Sequence, residues 1–137
     1  MEKIIFLIIV CFVFFMTHAY ATEDSTHLVS LENMSKRCNR NSVVVSHGQT
    51  HPLPNHIPTY TVHITNICPS RCSVYGIHVK CGWFSSTRLI NPKIFRRLGY
   101  NDCLVNNGHV LPAGRTVSFM YSNTYTYPMD VFKVSCA

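Results

Sequence analysis

Six cysteines, Cys38, Cys68, Cys72, Cys81, Cys103 and Cys136, are spread over the last hundred positions of a 137-residue chain and constrain what it can fold into. A seventh, Cys11, lies in the apolar run at 4–17 (IIFLIIVCFVFFMT), which follows Lys3 and leads into Ala19-Tyr20-Ala21. A charged start, an apolar centre and small residues at a cleavage position read as a secretory signal peptide. The run is too short to cross a bilayer comfortably. Residues 1–21 are therefore expected to be removed after Ala21, taking Cys11 with them. An even set of cysteines in a short extracellular chain implies a disulfide framework. Zinc is the competing use of cysteine, but the sequence has no C-x-x-C pair and the compartment is oxidising. Three disulfides are expected, with the pairing left open by the sequence.

The remaining stretch suits one domain, and bridges compensate for a thin interior. Beyond residue 21, Lys and Arg number 11 against 5 Asp and Glu, and 7 histidines remain. The preferred partners are therefore acidic surfaces, with further positive charge as the histidines protonate near pH 6.5. Secretion argues against nucleic acid as the partner. No membrane anchor is expected.

Residues 22–37 (TEDSTHLVSLENMSKR) have no sustained periodicity and hold most of the acids, so they read as a flexible extension and candidate propeptide. Asn33-Met34-Ser35 is an N-glycosylation acceptor, and Lys36-Arg37 is a candidate dibasic processing site. The folded unit is expected over 38–137. Val43 to Val45 is a β-branched run, and the proline-punctuated stretch from Gly48 to Pro58 is expected to hold no ladder. Tyr60, Val62 and Ile64 alternate with Thr61, His63 and Thr65, the period of a half-buried strand. Tyr75, Ile77, Val79 and Cys81 alternate with Val74, Gly76, His78 and Lys80. Val117, Phe119, Tyr121, Tyr125 and Tyr127 share one parity, predicting two strands broken near Asn123. Phe132, Val134 and Cys136 close the last strand. Asn91-Pro92 with Gly99 supplies a cap, a first-turn proline and a stop, predicting one short helix near 92–98. On it, Ile94, Phe95 and Leu98 would face one side and Lys93, Arg96 and Arg97 the other. The expected fold is all-β: a small disulfide-stapled antiparallel β-sandwich or barrel with that helix.

Catalysis finds little support. Between Cys38 and Cys136 the acids are Asp102 and Asp130 alone, a thin supply for the two carboxylates that sugar hydrolysis uses, and no nucleophile elbow, zinc-protease motif or phosphate loop is present. Asp102 is expected to satisfy backbone donors beside Cys103, and Asp130 to sit in a turn after Pro128. His47, His51 and His56 have a spacing that could hold a metal, but no acid nearby would orient them, so no metal or cofactor is expected.

Three blocks carry a resemblance: GQTHPLPNHIPTYTVHITNIC at 48–68, CGWFSSTRLINPKIFRRLGYNDCLVNNG at 81–108 and SFMYSNTYTYP at 118–128. The chain resembles the tapetum determinant family of plant secreted cysteine-rich proteins across 38–137, departing at His47, where glutamine is expected. The resemblance implies an extracellular (apoplastic) ligand of a leucine-rich-repeat receptor kinase ectodomain, the excess-microsporocytes receptor or a relative. Such a ligand would act with a co-receptor in specifying the anther tapetum, and would not be an enzyme. Composition nominates Trp83, Phe84, Arg88, Lys93, Arg96 and Arg97 for receptor contact. The alternative is a cell-wall or carbohydrate-binding protein, with Tyr121, Tyr125 and Tyr127 as a stacking platform and the positive charge meeting acidic polysaccharide. An apoplastic enzyme such as a glycosyltransferase ranks third, lacking the size and the acids.

Overall fold

The computed structural model describes residues 38–137, together with Ile5. Apart from Ile5, the expected signal peptide at 1–21 and extension at 22–37, with Asn33, Lys36 and Arg37, lie outside the described residues. The strands are β1 (Val43–Thr50), β2 (Thr59–Asn66), β3 (Val74–Lys80), β4 (Phe95–Gly99), β5 (Asp102–Val105), β6 (Thr116–Ser122) and β7 (Asp130–Cys136). They form two antiparallel sheets, one ordered β1-β2-β6 and the other β4-β5-β3-β7.

Alternation on β2 decides which side of the first sheet is buried. Tyr60, Val62, Ile64 and Asn66 face inward, whereas Thr61, His63 and Thr65 face out. Tyr60, Val62 and Ile64 meet Ile77, Val79, Phe95, Cys103 and Val105 of the second sheet in one core. Each fully buried aliphatic side chain contributes about 1.5–3 kcal/mol. Aromatic rings supply the inter-sheet seam: Phe95 stacks on Phe119 with centroids 4.2 Å apart, and Phe84 meets Phe95 and Tyr121 edge-on at 5.0 and 5.3 Å. The molecule is a disulfide-stapled β-sandwich.

Buried polarity is matched. Asn66 is fully buried at the end of β2; its amide donates to the carbonyls of Cys72 and Leu111 at 2.9 Å, and its oxygen accepts the Cys68 N–H at 2.9 Å. One side chain thus ties three segments together at the base of the sandwich.

Disulfides join Cys81 to Cys103, linking the end of β3 to β5, and Cys38 to Cys68, linking the first described segment to the turn after β2. Cys72 and Cys136 are thiols, so the structure holds two of the three bridges expected. Burial and the neighbouring Cys72 push the Cys136 thiol above its ordinary pKa.

The helix expected near 92–98 is not there. Asn91 starts a single turn: its side chain accepts the Lys93 N–H, and its carbonyl accepts from Ile94 and Phe95. From Phe95 the chain enters β4, which pairs with β5 from Phe95↔Val105 to Gly99↔Asp102. Pairing buries Phe95 between the sheets, a gain that two exposed helical turns cannot match. Leu98 lies at a register shift and is exposed.

Four smaller expectations also change. β1 runs on to Thr50 against Thr59, so the ladder covers Gly48 to Thr50. The predicted strand after Asn123 is irregular instead, with Tyr127 reaching back to the core. In β3, Gly76 adopts φ +58° at a register shift, so Val74 is buried and Tyr75 exposed while Ile77 and Val79 keep the expected parity. In β7, Val131 and Val134 pack on the core and Phe132 turns outward.

Candidate interaction surface

An exposed cluster of large side chains grows out of the Cys81–Cys103 bridge. Past Cys81 the chain turns at Gly82, and past Gly99 the β4–β5 hairpin turns through Tyr100 and Asn101. The two turns are locked reciprocally: the Asn101 N–H donates to the Gly82 carbonyl at 2.8 Å, and the Gly82 N–H to the Asn101 side-chain oxygen at 3.0 Å. Asn101 holds φ +56°, a left-handed position that asparagine tolerates. Locking brings Trp83 and Tyr100 together, ring centroids 5.0 Å apart, although they are 66% and 63% exposed. The Arg97 guanidinium stacks over Trp83 at 5.3 Å, a cation–π contact.

Rings and guanidinium together form a rigid surface of the residue types that dominate binding energy at protein interfaces. Its field is positive: within 38–137 nine Lys and Arg stand against Asp102 and Asp130. Arg88 and Lys93, on the loop between β3 and β4, are exposed, as is Leu89 at 96%.

The six nominated contact residues separate accordingly. Trp83 and Arg97 meet, and Arg88 and Lys93 are exposed at the surface. Phe84 is core, wedged among Phe95, Tyr121 and Tyr127. Arg96 alternates to the opposite side of β4 from Arg97, and its guanidinium is held by the Pro92 carbonyl and the Asn107 side-chain oxygen. The shared basic face expected of a helix is therefore split. Sequence reasoning misses Tyr100; its signal is an aromatic residue in a Gly-Tyr-Asn turn.

The tyrosine platform is absent as well. Tyr121 is fully buried, Tyr127 is half-buried with its N–H on the Tyr121 hydroxyl, and Tyr125 alone of the three is exposed. Asp102 holds the Nδ1 of His78 at 2.6 Å rather than backbone donors, and Asp130 opens β7 opposite Lys80. His63 hydrogen-bonds Ser118 at 2.8 Å on the outer face of the other sheet. Acid–histidine and histidine–serine pairs thus sit on different sheets, and no triad forms among the described residues. His47, His51 and His56 are exposed, and among the described residues they do not converge on a common metal position. Among the described residues no helix is long and apolar enough to cross a membrane.

Residues 39–137 match the family described as Tapetum determinant 1, C-terminal. The chain belongs to the tapetum determinant family. It is 52% identical over 99 residues to TPD1 protein homolog 1 of Arabidopsis thaliana, covering 72% of this chain and 55% of that protein. TPD1 protein homologs 1A and 1B of Oryza sativa subsp. japonica are 45% and 46% identical, covering 69% and 72% of this chain and 44% and 58% of theirs. The chain thus matches about half the length of these relatives. No solved structure matches it. The matched region holds the Cys81–Cys103 bridge, Cys68 of the other bridge, the Trp83–Arg97–Tyr100 cluster and all seven strands, so it is the family's cysteine-rich, disulfide-bonded unit.

Proposed function

We propose that this chain is a secreted extracellular ligand, acting by binding rather than catalysis. Its partner would be the ectodomain of a leucine-rich-repeat receptor kinase, the excess-microsporocytes receptor or a relative, and its setting anther cell-fate specification. In this reading residues 1–21 direct secretion, 22–37 form a removable extension and 38–137 carry the binding unit. Family membership supports the setting. The observation that carries a binding role is the Trp83–Arg97–Tyr100 surface: exposed large aromatics cost solvation free energy, and here they are held in one geometry by a disulfide and two hydrogen bonds. A ligand ordered before contact loses little entropy on docking. The concave face of a repeat receptor offers an extended surface for such a domain, and a co-receptor would then join the complex.

Binding of the full secreted chain to a panel of immobilised receptor ectodomains tests the reading, with pectin as the acidic-polysaccharide control. One ectodomain should bind saturably, and Trp83→Ala should weaken it at least tenfold, about 1.4 kcal/mol. Retention on pectin with no ectodomain bound would replace the receptor by the cell wall.

A further inference from the structure

Away from that surface, both ends of the domain meet one short turn that carries two cysteines. Cys68-Pro69-Ser70-Arg71-Cys72 follows β2. The Sγ atoms of Cys38, Cys68 and Cys72 all lie within 4.8 Å of one another. The Ser70 hydroxyl sits among them, 3.6, 3.2 and 2.9 Å from the sulfurs of Cys38, Cys68 and Cys72. Cys136 arrives from the far end of the chain: β7 pairs with β3 at Val74↔Cys136, and the Ala137 N–H continues the ladder to the Ser73 carbonyl at 2.9 Å. Its thiol donates to the Cys38 carbonyl at 2.7 Å, which places Cys136 beside the residue whose sulfur lies within 4.8 Å of that of Cys72.

We infer that Cys72 and Cys136 are the partners of a third disulfide, giving the pairing Cys38–Cys68, Cys72–Cys136 and Cys81–Cys103. Closure removes one proton and one electron from each thiol and joins their Sγ atoms. The two electrons pass to a disulfide oxidant, such as oxidised glutathione or the disulfide of an oxidoreductase, which leaves as two thiols. The bridge fastens the last strand to the turn that Cys38–Cys68 already fastens to the first described segment. Both ends of the domain are then anchored at the segment organised by Asn66, which accepts the Cys68 N–H and donates to the Cys72 carbonyl.

Trypsin distinguishes this pairing from the others, because Lys and Arg place all six cysteines on separate peptides: 38–40, 41–71, 72–80, 81–88, 98–115 and 134–137. The full chain, secreted from a eukaryotic host, is alkylated in acid without reduction, digested and mapped by mass spectrometry. The expected linked pairs are 38–40 with 41–71, 72–80 with 134–137, and 81–88 with 98–115. Cys136→Ser should then expose one alkylatable thiol, at Cys72, with the other two pairs unchanged. Cys72 linked to 38–40 or 41–71, or alkylated in the wild type, would overturn the assignment. So would one zinc per chain with thiols released by a chelator, since the sulfurs around this turn would then be a metal site.

Discussion

Asn66 shows how one polar residue can be worth more than its apolar neighbours. It is buried with all its principal hydrogen-bonding capacity used, so replacing it removes two bonds to carbonyls and one to an N–H together. An unpartnered buried polar group costs about 1–3 kcal/mol. Asn66→Leu is expected to lower the unfolding free energy by about 3 kcal/mol, read as a fall in denaturant midpoint at unchanged slope. Tyr121 makes a second point, through pH. Burial pushes its hydroxyl above the ordinary tyrosine pKa, outweighing the opposite effect of the Tyr127 N–H that its oxygen accepts. The unfolded chain therefore ionises first. The stability contributed by the neutral ring is complete below about pH 10 and is lost as pH rises through the folded pKa. Tyr121→Phe, which costs about 1–2 kcal/mol at neutral pH by stranding the Tyr127 N–H, should lose less stability than wild type between pH 9 and pH 11. Parallel thermal melts across that range, with equal slopes for the two proteins, would remove the explanation.

At the scale of elements, legibility followed the strength of the local period. β2 was readable because its alternation is unbroken and both faces have distinct chemistry. β4 was not, because Asn91-Pro92 and Gly99 punctuate a strand–turn as well as a helix, and Phe-Arg-Arg-Leu is too short for either period to win. Choosing between them needed Val105 and Cys103, the partners on β5. The Trp83–Arg97 contact was hidden for a related reason: it depends on Cys81 pairing with Cys103, and spacing does not reveal pairings. Trp83, Arg97 and the six cysteines could be named from composition; Tyr100 and the separation of Arg96 from Arg97 could not. Gly76 carries a test of its own, since it produces the parity change in β3. It holds φ +58°, and a Cβ placed there would meet only open space, so backbone strain alone opposes a side chain. Gly76→Ala should cost about 1–2 kcal/mol. Gly48→Ala, in similar open space without a positive φ, should change stability by less than about 0.5 kcal/mol. Equal effects would show that the bulge does not depend on glycine.

For the whole molecule, the question is whether its positive charge acts as a general field or through one oriented residue. Within 38–137 the excess of basic residues is spread over many elements, and a diffuse field alone would make every arginine equivalent in binding. The fold makes adjacent arginines inequivalent. Arg97 lies over an exposed indole, whereas Arg96 is engaged with Pro92 and Asn107 between the turn before β4 and the segment after β5. Reversing Arg97 to Glu should therefore weaken receptor binding about tenfold or more and flatten its dependence on salt, because a contact charge steers and docks while screening acts on it. Its melting temperature should stay within about 2 °C of wild type, as expected for a surface change. Arg96→Ala should do the reverse, lowering the melting temperature by about 4–8 °C for about 1 kcal/mol of lost anchoring, with affinity per folded molecule unchanged. Calorimetric melts, and titrations at about 50 and about 300 mM salt on the same preparations, separate the two. Equal losses of affinity from both substitutions would mean that the field, not the Trp83–Arg97–Tyr100 surface, attracts the partner.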